Sequence, residues 1–99
     1  MANSIIQSEK KCFLCGRALE YGFDKLEEHH IFMGKPNRQH SEEHGLKVWL
    51  CGNSCHRNGP QSAHKNRKID LALKGIAQQK FEENHSREEF RAIFGKSWL

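Results

Sequence analysis

Four cysteines in two short pairs, Cys12-x2-Cys15 and Cys51-x3-Cys55, constrain this chain more than any other feature. Gly16 closes the first pair, and Gly52, Asn53 and Ser54 lie inside the second. Inert buried thiols sit among core residues, so a setting of turn formers argues for ligands instead. Two tight loops giving two thiolates each can close a tetrahedron around one zinc ion at small entropic cost. The second pair is one residue wider than the commonest spacing. A rival assignment draws the last ligands from Cys51, Cys55 and the adjoining His56.

The chain needs such a staple. It has 99 residues, 36% of them apolar and 28% charged, with a mean hydropathy of −0.82. That is one domain with a thin apolar core, and domains this small and polar usually add a disulfide, a metal or a partner. No stretch approaches the roughly 20 apolar residues of a membrane span. Residues 1–11 read as a polar lead-in without the apolar run of an export signal, which leads to the expectation of a cytoplasmic protein with reduced thiols. Metal therefore ranks above disulfides.

The net charge is +4 and the isoelectric point about 9.0. Four thiolates and two divalent ions would leave that balance unchanged. A basic domain points to a polyanionic partner, nucleic acid first, although a solvated basic surface explains the charge equally well on its own.

Periodicity places the elements. Residues 26–32, with a β-branched and aromatic end, read as a short strand. Residues 34–45 read as a loop of charges and turn formers. Residues 46–50 form the better strand and run into Cys51. Asn58-Gly59-Pro60 breaks the chain. Ile69, Ala72, Leu73, Ile76 and Ala77, extended by Phe81, make one apolar helical stripe. His64 opens that helix and Ser62 is its expected cap. Gly75 within it costs about 1 kcal/mol against Ala. Ser86 and Glu89 match a capping box ahead of a second stripe, Phe90, Ile93 and Phe94, stopped by Gly95. Trp98 and Leu99 are expected to pack on the helices.

The histidines divide into two groups. His40, His44 and His85 lie in polar stretches and read as solvent-facing. His29, His30, His56 and His64 lie on segments that the cysteine loops draw together. Adjacent strand residues point to opposite faces, so His29 and His30 can serve one site only where the strand ends or bends. Imidazole is a good ligand for a first-row divalent ion, and its ordinary pKa suits proton removal at neutral pH. One His on a metal with its neighbour free as base supplies the parts for metal-assisted hydrolysis of a phosphodiester. Lys65, Arg67 and Lys68 beside His64, Lys35 and Arg38 after the His pair, and Arg57 beside His56 would hold a phosphate backbone. Nothing reads as a base-recognising element, so weak sequence preference is expected.

Cys12-x2-Cys15, Glu28-His29-His30-Ile31, Leu50-Cys51, Cys55-His56 and the helix at His64, taken in order, resemble the HNH endonucleases, also called ββα-metal or His-Me finger nucleases. His29-His30-Ile31-Phe32 with Pro36-Asn37-Arg38, Ser41-Glu42, Gly45-Leu46 and Val48-Trp49-Leu50-Cys51 is similar to small phage-type members that act beside a recombinase. The resemblance implies a single α+β domain over 1–99. A zinc-stapled ββα-metal core, a short hairpin plus helix, would span 12–68, with a helical extension over 69–99. It implies His30 as general base and His29 and His64 as metal ligands, with His56 a second candidate ligand. Asn37, or failing it Asn66, would be the middle Asn. The second cysteine pair and the want of an obvious middle Asn depart from the common pattern. The implied reaction is cleavage of DNA by water with Mg²⁺ or Mn²⁺, leaving a 5′-phosphate and a 3′-hydroxyl. The implied partners are DNA and a recombinase or other phage protein. The competing reading is a non-catalytic zinc-knuckle module that binds nucleic acid. A structural domain with two zinc ions is a third.

Overall fold

The computed structural model describes residues 3–18, 22, 24–57, 59 and 62–99. Two antiparallel strands carry the site: β1, Leu26–His30, and β2, Lys47–Cys51. Leu26 pairs with Cys51, His29 with Val48 and His30 with Lys47. Leu26 and His29 are buried and Glu28 is exposed; the two buried residues are three apart and so face opposite sides of the strand. A π-helical turn, Gly52–Arg57, follows β2 directly. Two further helices, α2 (Arg67–Phe81) and α3 (Arg87–Phe94), complete a small α+β fold, the class the sequence led us to expect. Of the break at Asn58-Gly59-Pro60, Asn58 and Pro60 lie outside the described residues. Among the described residues no helix is long and apolar enough to cross a membrane.

Between the strands the structure departs from the expected loop. Asn37–His44 forms a helix, α1. It contains no apolar residue, so no stripe announces it. Polar contacts hold it instead. Ser41, fully buried, donates its hydroxyl to the Phe32 carbonyl at 2.9 Å and accepts from the Phe32 amide at 3.1 Å. Gly45 ends the helix at φ +70°, where a Cβ would also overlap the Asn3 carbonyl, so glycine is required there twice over. The rings of His40 and His44 lie against Phe94 and Phe81, at 5.9 and 5.5 Å. His85 is exposed but stacks on Phe81 at 4.4 Å. The three histidines read as solvent-facing are thus part of the packing around the aromatic core. That core joins Phe32, Phe81, Phe90 and Phe94 by ring contacts of 4.7–5.5 Å, and Leu46, Val48, Leu50, Leu73 and Ala77 are buried with it.

The long helix begins later than expected. Asn66, not Ser62, caps it, its side chain accepting from the Ile69 amide at 3.2 Å. Ser62 is buried, and its carbonyl accepts from the Asn66 amide at 2.8 Å. His64 therefore lies in a turn before α2, not on it. The capping box at Ser86 and Glu89 is present as read. Trp98 packs against the core with its ring between the ammonium groups of Lys74 and Lys96, at 4.5 and 4.2 Å, whereas Leu99 stays exposed.

The polar lead-in is also docked. The Lys47 carbonyl accepts from Ser4 Oγ at 2.6 Å, and the Trp49 amide donates to Gln7 Oε1 at 2.9 Å. The Phe13 amide donates to the Trp49 carbonyl at 2.8 Å. These bonds take up outward-facing groups of Lys47 and Trp49, which covers part of an edge that would otherwise be open.

Candidate metal centres and the cleft between them

The first cysteine pair forms a tight knuckle. The Gly16 amide donates to the Cys12 carbonyl at 2.8 Å, and the Cys15 amide points at Cys12 Sγ at 3.4 Å. Cys51 ends β2 and Cys55 lies on the π-turn. All four sulfur atoms fall within 4.8 Å of one another, Cys15 and Cys51 at 3.4 Å, and all four are free thiols. A tetrahedral ion with metal–sulfur bonds near 2.3 Å sets sulfur–sulfur edges of about 3.8 Å. The set fits such an ion without rearranging the backbone.

Charge around the thiols is uneven. Burial alone would raise the Cys15 thiol, but hydrogen bonds from the Arg17 side chain and backbone, helped by those of Cys12 and Cys51, bring it down to about 6. Burial, then the crowding of neighbouring sulfurs, pushes Cys51 up to about 12 and raises Cys55 as well. Asp24 ties the pairs together. Its carboxylate accepts from the Asn53 and Ser54 amides, each at 2.9 Å, and from Ser54 Oγ at 2.6 Å, while Arg17 lies 3.2 Å away. The Ser54 hydroxyl bond is the chief reason its pKa is lowered.

Two backbone hydrogen bonds build the second cluster. The Ala63 amide donates to the Cys55 carbonyl at 2.8 Å and the His64 amide to the His56 carbonyl at 3.1 Å. They bring the turn at His64 against the π-turn, next to the end of β1. The ring centroids of His29, His56 and His64 are 4.7–5.3 Å apart, and one nitrogen of each lies within 4.8 Å of the others. His29 is 1% exposed, yet its Nε2 has no hydrogen-bond partner among the described residues. A buried polar atom left without a partner costs about 1–3 kcal/mol, and a metal ion would satisfy this one. Burial, reinforced by His56 and His64, pushes the His29 pKa down to about 3, so its imidazole is neutral, the form that ligates. The His56 pKa is also lowered, by burial, against the pull of Glu27. Glu27 Oε1 lies 3.1 Å from His56 Nδ1 and 2.9 Å from an Arg57 nitrogen. A carboxylate can only accept, so Nδ1–H donates and the Nε2 lone pair is left for an ion.

His30 leaves the strand on the other side, as alternation requires. Because β1 ends there, both histidines still reach one cleft of about 360 Å³, lined also by Glu28, Arg38, His56, Arg57 and His64. His30 Nε2 lies 2.8 Å from Glu42 Oε1 on α1. Glu28, His30 and Glu42 also have ligand atoms within 4.8 Å, but Lys47 supplies a cation there already, 3.1 Å from Glu28 and 2.8 Å from Glu42.

The structure therefore joins Cys12, Cys15, Cys51 and Cys55 in one centre and His29, His56 and His64 in another, with His30 beside the second. His56 groups with the histidines and not with the thiols. Asn37 opens α1, outside the residues lining the cleft, and Asn66 caps α2. Arg38 and Arg57 line the cleft, Lys35 lines the depression next to it with His30, and Lys65, Arg67 and Lys68 are exposed at the start of α2. Asp24, Glu27, Glu42 and Lys47 had no role assigned from the sequence. Glu42 lies in the stretch that carries the resemblance, and Glu27 is a charged strand residue two positions before a candidate ligand. Comparison of the chain with models of protein families, with curated proteins and with solved structures finds no match.

Proposed function

We propose that the protein is a metal-dependent DNA endonuclease of the HNH kind, with a structural zinc ion on Cys12, Cys15, Cys51 and Cys55. The observation that carries this reading is the unpartnered, buried His29 Nε2 at the meeting point of three imidazoles, in the cleft that also holds His30. A non-catalytic zinc-knuckle module accounts for the cysteines but leaves that atom unexplained. In the proposed reaction His30 takes a proton from the attacking water, while Arg38 and Arg57 hold the phosphodiester in the cleft. His29, His56 and His64 would hold a divalent ion, which would supply positive charge toward the phosphate and the leaving oxygen. Glu27 orients His56, and neutral His29 keeps its lone pair available.

The ligand set bears on which ion serves. Mg²⁺ seeks oxygen ligands, whereas three imidazoles suit Ni²⁺ or Co²⁺ best and hold Mn²⁺ more weakly. Plasmid incubated with the zinc-loaded protein is expected to be nicked with Mn²⁺, Co²⁺ or Ni²⁺, more slowly with Mg²⁺, and not at all in EDTA. Equal rates with Mg²⁺ would count against a three-histidine site, and no cleavage with any of these ions would end the nuclease reading.

Binding to uncut DNA is expected to be chiefly electrostatic. Lys65 and Arg67 are exposed and flank His64. Replacing both with Ala should reduce the slope of log affinity against log salt by about one to two units. Affinity independent of salt would rule this surface out.

A further inference from the structure

Resting on the nuclease reading, we infer that Glu42 is the positioning residue of His30, holding the imidazole in the tautomer that leaves Nδ1 free to accept a proton. Glu42 Oε1 lies 2.8 Å from His30 Nε2, and its other oxygen lies 2.8 Å from the Lys47 ammonium. Lys47 is itself buried and reaches Glu28 at 3.1 Å. The Lys47 hydrogen bond, then that of His30, holds the Glu42 carboxyl down at about 2. Burial works against the Lys47 charge, but its bonds to Glu42 and Glu28 outweigh this and raise its pKa. Both partners are therefore charged at neutral pH. An ionised carboxylate has no proton to give, so the hydrogen between Glu42 and His30 is on Nε2, and a ring that acts as base has its lone pair on Nδ1.

The support behind Glu42 is rigid. Ser41, the preceding residue, is bonded to both backbone groups of Phe32, two residues past His30. The Leu46 amide donates to the Ser41 carbonyl at 2.9 Å, just before Lys47 opens β2. The α1 helix is thus fastened to the end of β1 and the start of β2, which fixes the backbone at Glu42, and the Lys47 ammonium holds its carboxylate beside His30. Asn37, the residue the resemblance offered for an orienting role, lies outside the cleft lining, and Glu42 is the side chain that touches the ring.

The arrangement makes the milder substitution the more damaging one. In Glu42→Gln the amide group must turn its oxygen to the Lys47 ammonium, because two donors cannot face each other. Its NH₂ then faces His30 Nε2, which must accept, and the ring hydrogen moves to Nδ1. The base is blocked although the shape is kept. In Glu42→Ala the ring loses its anchor but is free to take either tautomer.

The test has two readings on the same zinc-loaded protein. Imidazole ¹H–¹⁵N spectra without DNA report the His30 tautomer. Nicking of plasmid with Mn²⁺ reports kcat and KM. The parent is expected to carry hydrogen on Nε2 and Glu42→Gln on Nδ1. We expect kcat to fall roughly 10²- to 10⁴-fold in Glu42→Gln, the span of general-base catalysis. In Glu42→Ala it should fall about 10- to 100-fold, as when a group orienting an imidazole is removed. KM should be unchanged in both. A purely structural role for Glu42 predicts the opposite order, with the isosteric Gln close to the parent. Parent-like cleavage by Glu42→Gln, or an unchanged His30 tautomer in that variant, overturns the inference while leaving the nuclease reading intact. A parent that does not cleave overturns the nuclease reading itself, whatever the spectra show. If Glu42→Ala does not fold, the Gln variant still decides.

Discussion

Cys51→Ser is expected to abolish cooperative thermal unfolding, and chelation of the parent should do the same. The magnitudes decide this. Binding of structural zinc is worth about 10–16 kcal/mol in small zinc domains at neutral pH, whereas a whole domain is usually stable by about 5–15 kcal/mol. Weakening the ion by even part of its binding energy removes most of what holds the chain. Little else can compensate, because Cys12, Cys51 and Cys55 are themselves buried members of the core. Removing the ion leaves crowded, desolvated thiols in place of a bonded centre. Circular dichroism melts with and without chelator, together with a zinc assay on each variant, make the check. A Cys51→Ser protein that melts as the parent does would show that the thiols hold no ion that the fold needs.

The second large effect separates base from ligand. His30→Ala should keep its zinc, its melt and its affinity for uncut DNA, yet lose roughly 10²- to 10⁴-fold in nicking rate, because only proton removal is gone. His64→Ala should lose activity by weakening the divalent ion. His64 is exposed, in a turn, and held by its backbone amide to His56, so truncating its side chain leaves that turn intact. High Mn²⁺ should then restore part of its rate by mass action, whereas no concentration of ion supplies a missing base in His30→Ala. Nicking by both variants across a Mn²⁺ titration distinguishes the two. Parent-like rates in both variants would place the chemistry elsewhere. Loss of the ion in His30→Ala would make His30 a ligand.

What could be read from the sequence was local or strongly patterned. The cysteine pairs, both strands, the apolar stripe of α2 and the Ser86 capping box each carry their signal within a few residues, and each is present in the structure. The α1 helix carried none, since Asn37–His44 has no apolar residue and is held by Ser41 and by imidazoles lying on phenylalanines. The start of α2 was misjudged by a few residues because Ser62 and Asn66 are equally good caps, and only the three-dimensional path shows which side chain meets a free amide. At the candidate site, His29, His56 and His64 were named from their order in the chain together with the family resemblance, and two backbone hydrogen bonds bring the turns of His56 and His64 together. The roles of Asp24, Glu42 and Lys47 were not legible for a simpler reason. In a chain that is 28% charged, a charged residue that will be locked between partners reads like one that will face water.

The π-turn has a consequence of its own. Cys55 and His56 are consecutive, and the backbone bonds that seat Ala63 and His64 start from their two carbonyls. A single peptide bond therefore separates a residue of the thiol cluster from one of the imidazole cluster. A displacement of Cys55 is passed directly to His56, with no intervening residue between them. If the thiols hold an ion, its removal is expected to disturb the imidazoles as well.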